Sequence, residues 1–104
     1  MIKLTEDAAN QILQQAKQSG VTDDPLRIAV RQGKTGGFQY LMGFDELKEG
    51  DNQFEVRGVK LVIADNDAQL VTNMEVDYVE IEGENKEFIF KNPNDPSYKP
   101  PGEL

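Results

Sequence analysis

Apolar residues recur along this chain at two spacings, and the switches between them lay out the elements. Ala8, Ala9, Ile12, Leu13 and Ala16 fall three and four apart among Gln, Asn and Lys, which predicts an amphipathic helix. Thr5 stands where an N-cap belongs, Glu6 and Asp7 suit the positive end of the helix dipole, and Gly20 suits the C-terminal cap. Ile2 and Leu4 before it read as the end of a short strand. From Leu26 the period changes to two: Leu26, Ile28 and Val30 alternate with Arg27, Ala29 and Arg31. The turn Gly33-Lys34-Thr35-Gly36-Gly37 offers three glycines for positive φ, and Phe38, Tyr40, Met42 and Phe44 then fall on one strand face. A hairpin of this kind needs a helix or further strands over its apolar face.

The segment after Phe44, DELKEGDNQ, reads as a polar loop. Phe54 and Val56, a turn at Arg57-Gly58 and the run Val59 to Ala64 predict a second hairpin. Asp65 or Asn66 is placed to cap a short helix through about Asn73, with Ala68, Leu70 and Val71 inward. Val76, Tyr78, Val79 and Ile81, a turn at Gly83-Glu84-Asn85, then Phe88, Ile89 and Phe90 give the last two strands. From Lys91 the chain reads KNPNDPSYKPPGEL, whose four prolines forbid a helix or a central strand. We therefore expect a core over residues 1–91 and a proline-rich tail over 92–104, either flexible or laid on the domain with Tyr98 as anchor. The order predicts an α+β domain: a compact curled, mostly antiparallel sheet covered by one N-terminal helix and one short helix.

Composition narrows the chemistry. The chain has 104 residues, 38% of them hydrophobic, with no composition break, as one domain requires. Net charge is −8, with acids spread through every basic stretch, so nucleic acid is not an expected partner. No apolar run reaches membrane-span length, and the start MIKLTEDA has neither the basic nor the apolar region of a secretory signal, so no membrane and a cytoplasmic place are expected. The chain contains no Cys and no His. Thiolate nucleophiles, imidazole bases and soft-metal ligation by this chain are thereby excluded.

No catalytic motif emerges. Gly33-Lys34-Thr35 suggests a phosphate loop, but Ile28 stands where that motif needs glycine, and a strand follows where it needs a helix. The acidic loop lacks calcium-loop register. The carboxylate pairs Asp45/Glu46, Asp65/Asp67 and Glu80/Glu82 fall at surface positions, Lys34 reads as an ordinary exposed amine, and Arg31 is as well placed to pair with a cross-strand acid as to hold an anion.

The stretches IKLTEDAANQI, LRIAVRQGKTGGFQY, MGFDE, VDYVEIEG and FIFKNPN together resemble the A-type iron–sulphur carriers, the HesB, IscA and SufA type proteins, over nearly the whole length. The resemblance implies a HesB-like curled sandwich or barrel and a link to cluster assembly or delivery. It also implies three cysteine ligands, one in the first hairpin turn and two in a Cys-Gly-Cys near the C-terminus. Aligned on the motifs, Thr35 takes the first position and Lys99-Pro100-Pro101 the other two, so all three ligands are replaced. Such side chains hold soft iron poorly. The tail NPNDPSYKPP is similar to cysteine-free members of the family associated with the dissimilatory sulfite reductase gene cluster, whose role is accessory.

The resulting expectation is a non-catalytic protein with no cofactor, no metal site and a protein partner, as monomer or weak homo-oligomer. Its contact surface would comprise Arg31, Lys34, Thr35, Tyr40, Tyr98 and Lys99. The alternative is an iron or cluster delivery protein that uses non-cysteine or partner-supplied ligands.

Overall fold

The computed structural model describes residues 2–34 and 36–98. Among the described residues, seven strands form two sheets. The larger has the order β3-β2-β5-β4, from strands β2 (Leu26–Gln32), β3 (Phe38–Phe44), β4 (Asp51–Val56) and β5 (Val59–Ala64). The smaller has the order β1-β6-β7, from β1 (Lys3–Leu4), β6 (Glu75–Glu82) and β7 (Asn85–Lys91). Hairpins give the antiparallel pairs β2–β3, β4–β5 and β6–β7, while β1–β6 and β2–β5 are parallel. The α+β, mostly antiparallel architecture expected from the pattern is found, with its strands in two sheets.

Helix α1 (Glu6–Ser19) buries Ala8, Ala9, Ile12 and Ala16, the predicted stripe, whereas Leu13 stays exposed. Both of its ends are where the sequence put them. Thr5 Oγ1 accepts from the Ala8 N–H at 3.1 Å, and Gly20 adopts the left-handed conformation at φ 70°. Thr5 also donates to Asp77 Oδ1 at 2.7 Å, which ties the helix start to β6. That bond, with further donation from the Tyr78 N–H and Lys91, holds the Asp77 carboxyl below the usual range. Between the layers, Ile28, Leu61, Ile63, Met74 and Val76 are almost completely buried with Ile12. Each such side chain contributes about 1.5–3 kcal/mol of burial free energy.

Three local expectations are corrected. The short helix α2 (Asp65–Ala68) is a single turn continued by a 3-10 turn over Gln69–Val71, and its cap position falls on Ala64 with no side-chain bond. Asp65 accepts instead from Asn52, and Asp67 from the Val30 N–H, so these carboxylates join the helix to the sheet rather than closing its end. β4 starts at Asp51, three residues before the first aromatic, because Asp51 is drawn into the sheet by a charge partner described below. Of the three turn glycines only Gly36 has positive φ, at 92°. Gly33 is needed for closeness: a Cβ there would sit 2.9 Å from the Gly37 carbonyl oxygen that its own N–H donates to. Ile81 lies in β6 as expected, 53% exposed at an irregularity between Glu80 and Glu82. Among the described residues, no helix is long and apolar enough to cross a membrane.

Thr5→Ala removes both the cap and the tie to Asp77 and should cost about 1–2 kcal/mol in urea unfolding, while Thr5→Ser should restore most of it. Equal losses for the two substitutions would show that the hydroxyl is not the cause.

Candidate functional site

The glycine turn and the segment after β7 meet, and Asp95 is the residue that joins them. Its Oδ1 accepts from the Ser97 hydroxyl at 2.7 Å, the Ser97 N–H at 2.9 Å and the Phe38 N–H at 3.3 Å. Its Oδ2 accepts from the Tyr40 hydroxyl at 2.8 Å. Burial works against the Asp95 charge, yet these donors outweigh it and hold the carboxyl below the usual range. For Tyr40 burial and the bond to Asp95 act together, and the phenol is pushed up to about 12. The Tyr40 ring stacks on Phe90 with centroids 4.4 Å apart and planes 9° apart, so its hydroxyl is aimed by packing from β7.

Three residues upstream, Asn92 is fully buried. Its Nδ2 donates to the Leu70 carbonyl at 2.7 Å, and its Oδ1 accepts from the Asn94 N–H at 3.0 Å. Asn94 Nδ2 donates to the Thr72 carbonyl at 2.8 Å. Residues 92–98 are thus a strap, pinned by Asn92 and Asn94 to the 3-10 turn and by Asp95 to β3. Gly37 lacks a side chain where the strap passes: a Cβ there would lie 3.2 Å from Ser97 Oγ. Beside this crossing lies a shallow cavity of about 390 Å³ lined by Gly33, Lys34, Gly37, Phe38, Pro96 and Ser97.

Of the residues expected to form a contact surface, Lys34 is exposed on the cavity wall. Tyr40 lies under the strap, and Tyr98 ends it, half-buried, with its N–H on the Asp95 carbonyl at 3.0 Å. Arg31 is exposed at the far end of β2, opposite Gln39. Thr35, Lys99 and Pro101 lie outside the described residues. Asn92 and Asp95 were not singled out from the sequence, although the run Asn-Pro-Asn-Asp-Pro-Ser carried the signal: Asn and Asp side chains bond the backbone two residues on.

A second charged centre is structural. Arg27 Nε donates to Asp45 Oδ2 at 2.7 Å, its two terminal nitrogens grip Asp51 at 2.6 and 2.8 Å, and one of them also meets the Glu46 carbonyl at 3.0 Å. The guanidinium pulls Asp51 down to about 2 and lowers Asp45, and the two carboxylates raise Arg27 in return. Asp45 is therefore consumed in an ion pair rather than poised beside Glu46 for proton transfer. Asp65 and Asp67 are hydrogen-bonded apart, and Glu80 and Glu82 are exposed.

A sequence model of the family described as iron-sulphur cluster biosynthesis matches residues 1–97. The iron-sulfur cluster insertion protein ErpA of Acidithiobacillus ferrooxidans is 38% identical over 96 residues, covering 90% of this chain and 76% of that protein. Among solved structures, IscA with the 2Fe-2S cluster is similar at a TM-score of 0.73 and 31% identity, covering 89% of this chain and 86% of that one. Escherichia coli SufA gives a TM-score of 0.76 at 28% identity, over 97% of this chain and 88% of that one. Iron–sulphur cargo is held on thiolates. This chain has no cysteine, and among the described residues no three of His, Cys, Asp and Glu gather as a metal site, so its residues do not fit such cargo.

Asp95→Asn removes the charge facing Tyr40, so the Tyr40 phenol should fall from about 12 toward its ordinary 10 in a tyrosinate absorbance titration, with Tyr78→Phe and Tyr98→Phe backgrounds isolating its signal. The carboxyls of Asp45, Asp51, Asp77 and Asp95 are all lowered on folding. The stability they add is complete above the unfolded-state value of about 4 and drains as pH falls toward the folded values. Unfolding free energy should accordingly drop below about pH 4, and an Arg27→Met, Asp95→Asn double variant should show a flatter drop.

Proposed function

The chain belongs to the iron-sulphur cluster biosynthesis family, and from that premise we propose that it works without holding a cluster itself. It is a cysteine-free relative of the A-type carriers with an accessory or regulatory role in iron–sulphur or sulphur metabolism, exercised in the cytoplasm through contact with a protein partner. It performs no catalysis. One observation carries the reading: the scaffold is retained over residues 1–97 while the chain contains no cysteine to grip the cargo.

The arrangement at the turn supports a contact role in a second way. Asp95, with 8% of its surface exposed, spends its lone pairs on β3 and on its own strap, leaving it closed to a cation. What the site offers outward is a shallow cavity with Lys34 on its wall and a strap already fixed before any partner arrives. A segment that is ordered in advance loses little freedom on binding. The contact surface comprises Arg31, Lys34 and Tyr98, with Tyr40 beneath the strap, and the expected Thr35 and Lys99, which lie outside the described residues.

Anaerobic reconstitution with ferrous iron and sulfide should leave the purified chain without charge-transfer absorption and without stoichiometric iron. Uptake of one cluster per chain or per pair of chains would overturn the reading. Micromolar iron binding by calorimetry without sulfide would instead favour delivery through oxygen or partner-supplied ligands.

A further inference from the structure

The strands that border the two sheets differ in how they guard their free sides. β4 carries Asp51 and Glu55, β7 carries Lys86, Glu87 and Lys91, and β1 has only two residues. Charge and brevity are the usual protection of a sheet edge against pairing. β3 has neither: its seven residues, FQYLMGF, contain no charge, and among the described residues β2 is its one ladder neighbour.

The β2–β3 ladder decides which groups of β3 are spare. The Gly33 N–H donates to the Gly37 carbonyl and the Asp45 N–H to the Pro25 carbonyl, so odd-numbered β3 residues bond β2 and even-numbered ones point outward. The Phe38 N–H donates to Asp95 at 3.3 Å, so the strap closes the edge at that end. Beyond it the edge is open: the N–H and C=O groups of Tyr40, Met42 and Phe44 have no partner among the described residues. Hollows of about 280 Å³ and 420 Å³ flank Met42, Gly43 and Phe44 on the two faces of the strand, the first walled by exposed Leu41 and the second by Phe88.

We infer that β3 receives the last residues of a partner protein as an added antiparallel strand, with the partner's C-terminal carboxylate beside Lys34. This rests on the contact role proposed above and supplies the kind of partner. An added strand stops at Tyr40, because Asp95 and the strap stand at Phe38, and a chain end suits that stop. Arg31, across from Gln39, and Lys34, on the wall of the cavity that begins at Phe38 and Gln39, are exposed and enter no ion pair among the described residues. Two such cations call for a terminal carboxylate rather than a terminal amine, and a C-terminus at this end makes the strand antiparallel. The Asp95 charge nearby is already shared among its own donors. At the Phe44 end Asp24 and Glu46 are exposed and unpaired among the described residues, which suits a Lys or Arg upstream in the peptide. Asp45 does not count, being held by Arg27 and Lys48. The net −8 of the chain opposes an anion only at long range, where salt screens it beyond about 8 Å.

The stop also sets the register. With its last residue opposite Tyr40, the peptide places its third- and fifth-from-last residues opposite Met42 and Phe44, and all three exchange backbone hydrogen bonds with β3. Their side chains share the face that holds Phe88 and the larger hollow, so they are apolar. The fourth-from-last residue stands opposite Gly43, where a Cβ would meet nothing within 4 Å, and has room for a large side chain.

A library of random heptapeptides displayed with a free C-terminus should enrich apolar residues at the last, third- and fifth-from-last positions. The enriched peptide, and acetyl-Lys-Val-Thr-Val-Thr-Val as a designed probe, should bind by NMR titration up to about 1 mM. Amidating the C-terminus should weaken each at least threefold, and Lys34→Glu, with its fold verified by circular dichroism, should weaken the acid at least threefold and the amide by less. Saturation should slow hydrogen exchange at Tyr40, Met42 and Phe44 at least fivefold and leave Leu41 and Gly43 unchanged. No enriched sequence, acid and amide that bind alike, or slowed exchange away from β3 would each overturn the pairing. So would protection that rises with the concentration of the chain alone, which would assign the edge to a second copy. Loss of peptide binding without cluster uptake strikes this edge alone, whereas cluster uptake on reconstitution strikes the contact role itself.

Discussion

The two sheets of this protein share no strand ladder among the described residues, so side chains alone must hold them together. Burial of Ile12, Ile28, Leu61, Met74 and Val76 supplies the bulk of that union. It is non-directional, however, and does not by itself set how the layers meet. The directional contacts are few and lie at the margins. Arg57 Nε reaches the Leu4 carbonyl at 2.8 Å, Tyr40 stacks on Phe90, and Asp95 bonds back to β3. Each crosses from one sheet, or the segment that leaves it, to the other. The strap is therefore part of the closure of the fold as well as part of its candidate surface.

This double use bears on the chemistry. A site that opens and closes on cargo needs ligands able to exchange partners. Here the side chains at the crossing are already committed: a buried amide to the 3-10 turn, a carboxylate to four donors, a phenol to that carboxylate. Their hydrogen bonds make a rigid join where the strap crosses β3. Rigidity at this place agrees with a surface that is read by another protein and disagrees with a hand that opens.

Most of the architecture was legible because it rests on periodicity. The stripe from Ala8 to Ala16, the alternations in β2 and β3 and the apolar run of β5 record what is buried, and burial is what organises the layers. Thr5 and Gly20 were legible because caps are local. What escaped depends on partners distant in sequence. Nothing near Arg27 announces that it will gather Asp45 and Asp51, and that pairing is what lengthens β4 and removes Asp45 from any acid–base pair. Gly33 and Gly37 were assigned a left-handed role when they are needed for close approach, a distinction that requires knowing what passes beside them. Asp95 escaped for the same reason: its own turn is local, but its bond to Tyr40 spans 55 positions.

The stacked, carboxylate-bound Tyr40 has an optical consequence. With no tryptophan and three tyrosines, the chain's ultraviolet emission comes from Tyr40, Tyr78 and Tyr98 alone. A phenol that donates to a carboxylate is partly quenched, so Tyr40 should emit weakly in the folded chain, where Asp95 holds it, and more strongly once unfolding breaks that bond. The chain carries its own unlabelled gauge of whether this join is intact, readable in dilute solution beside any partner that lacks tyrosine and tryptophan.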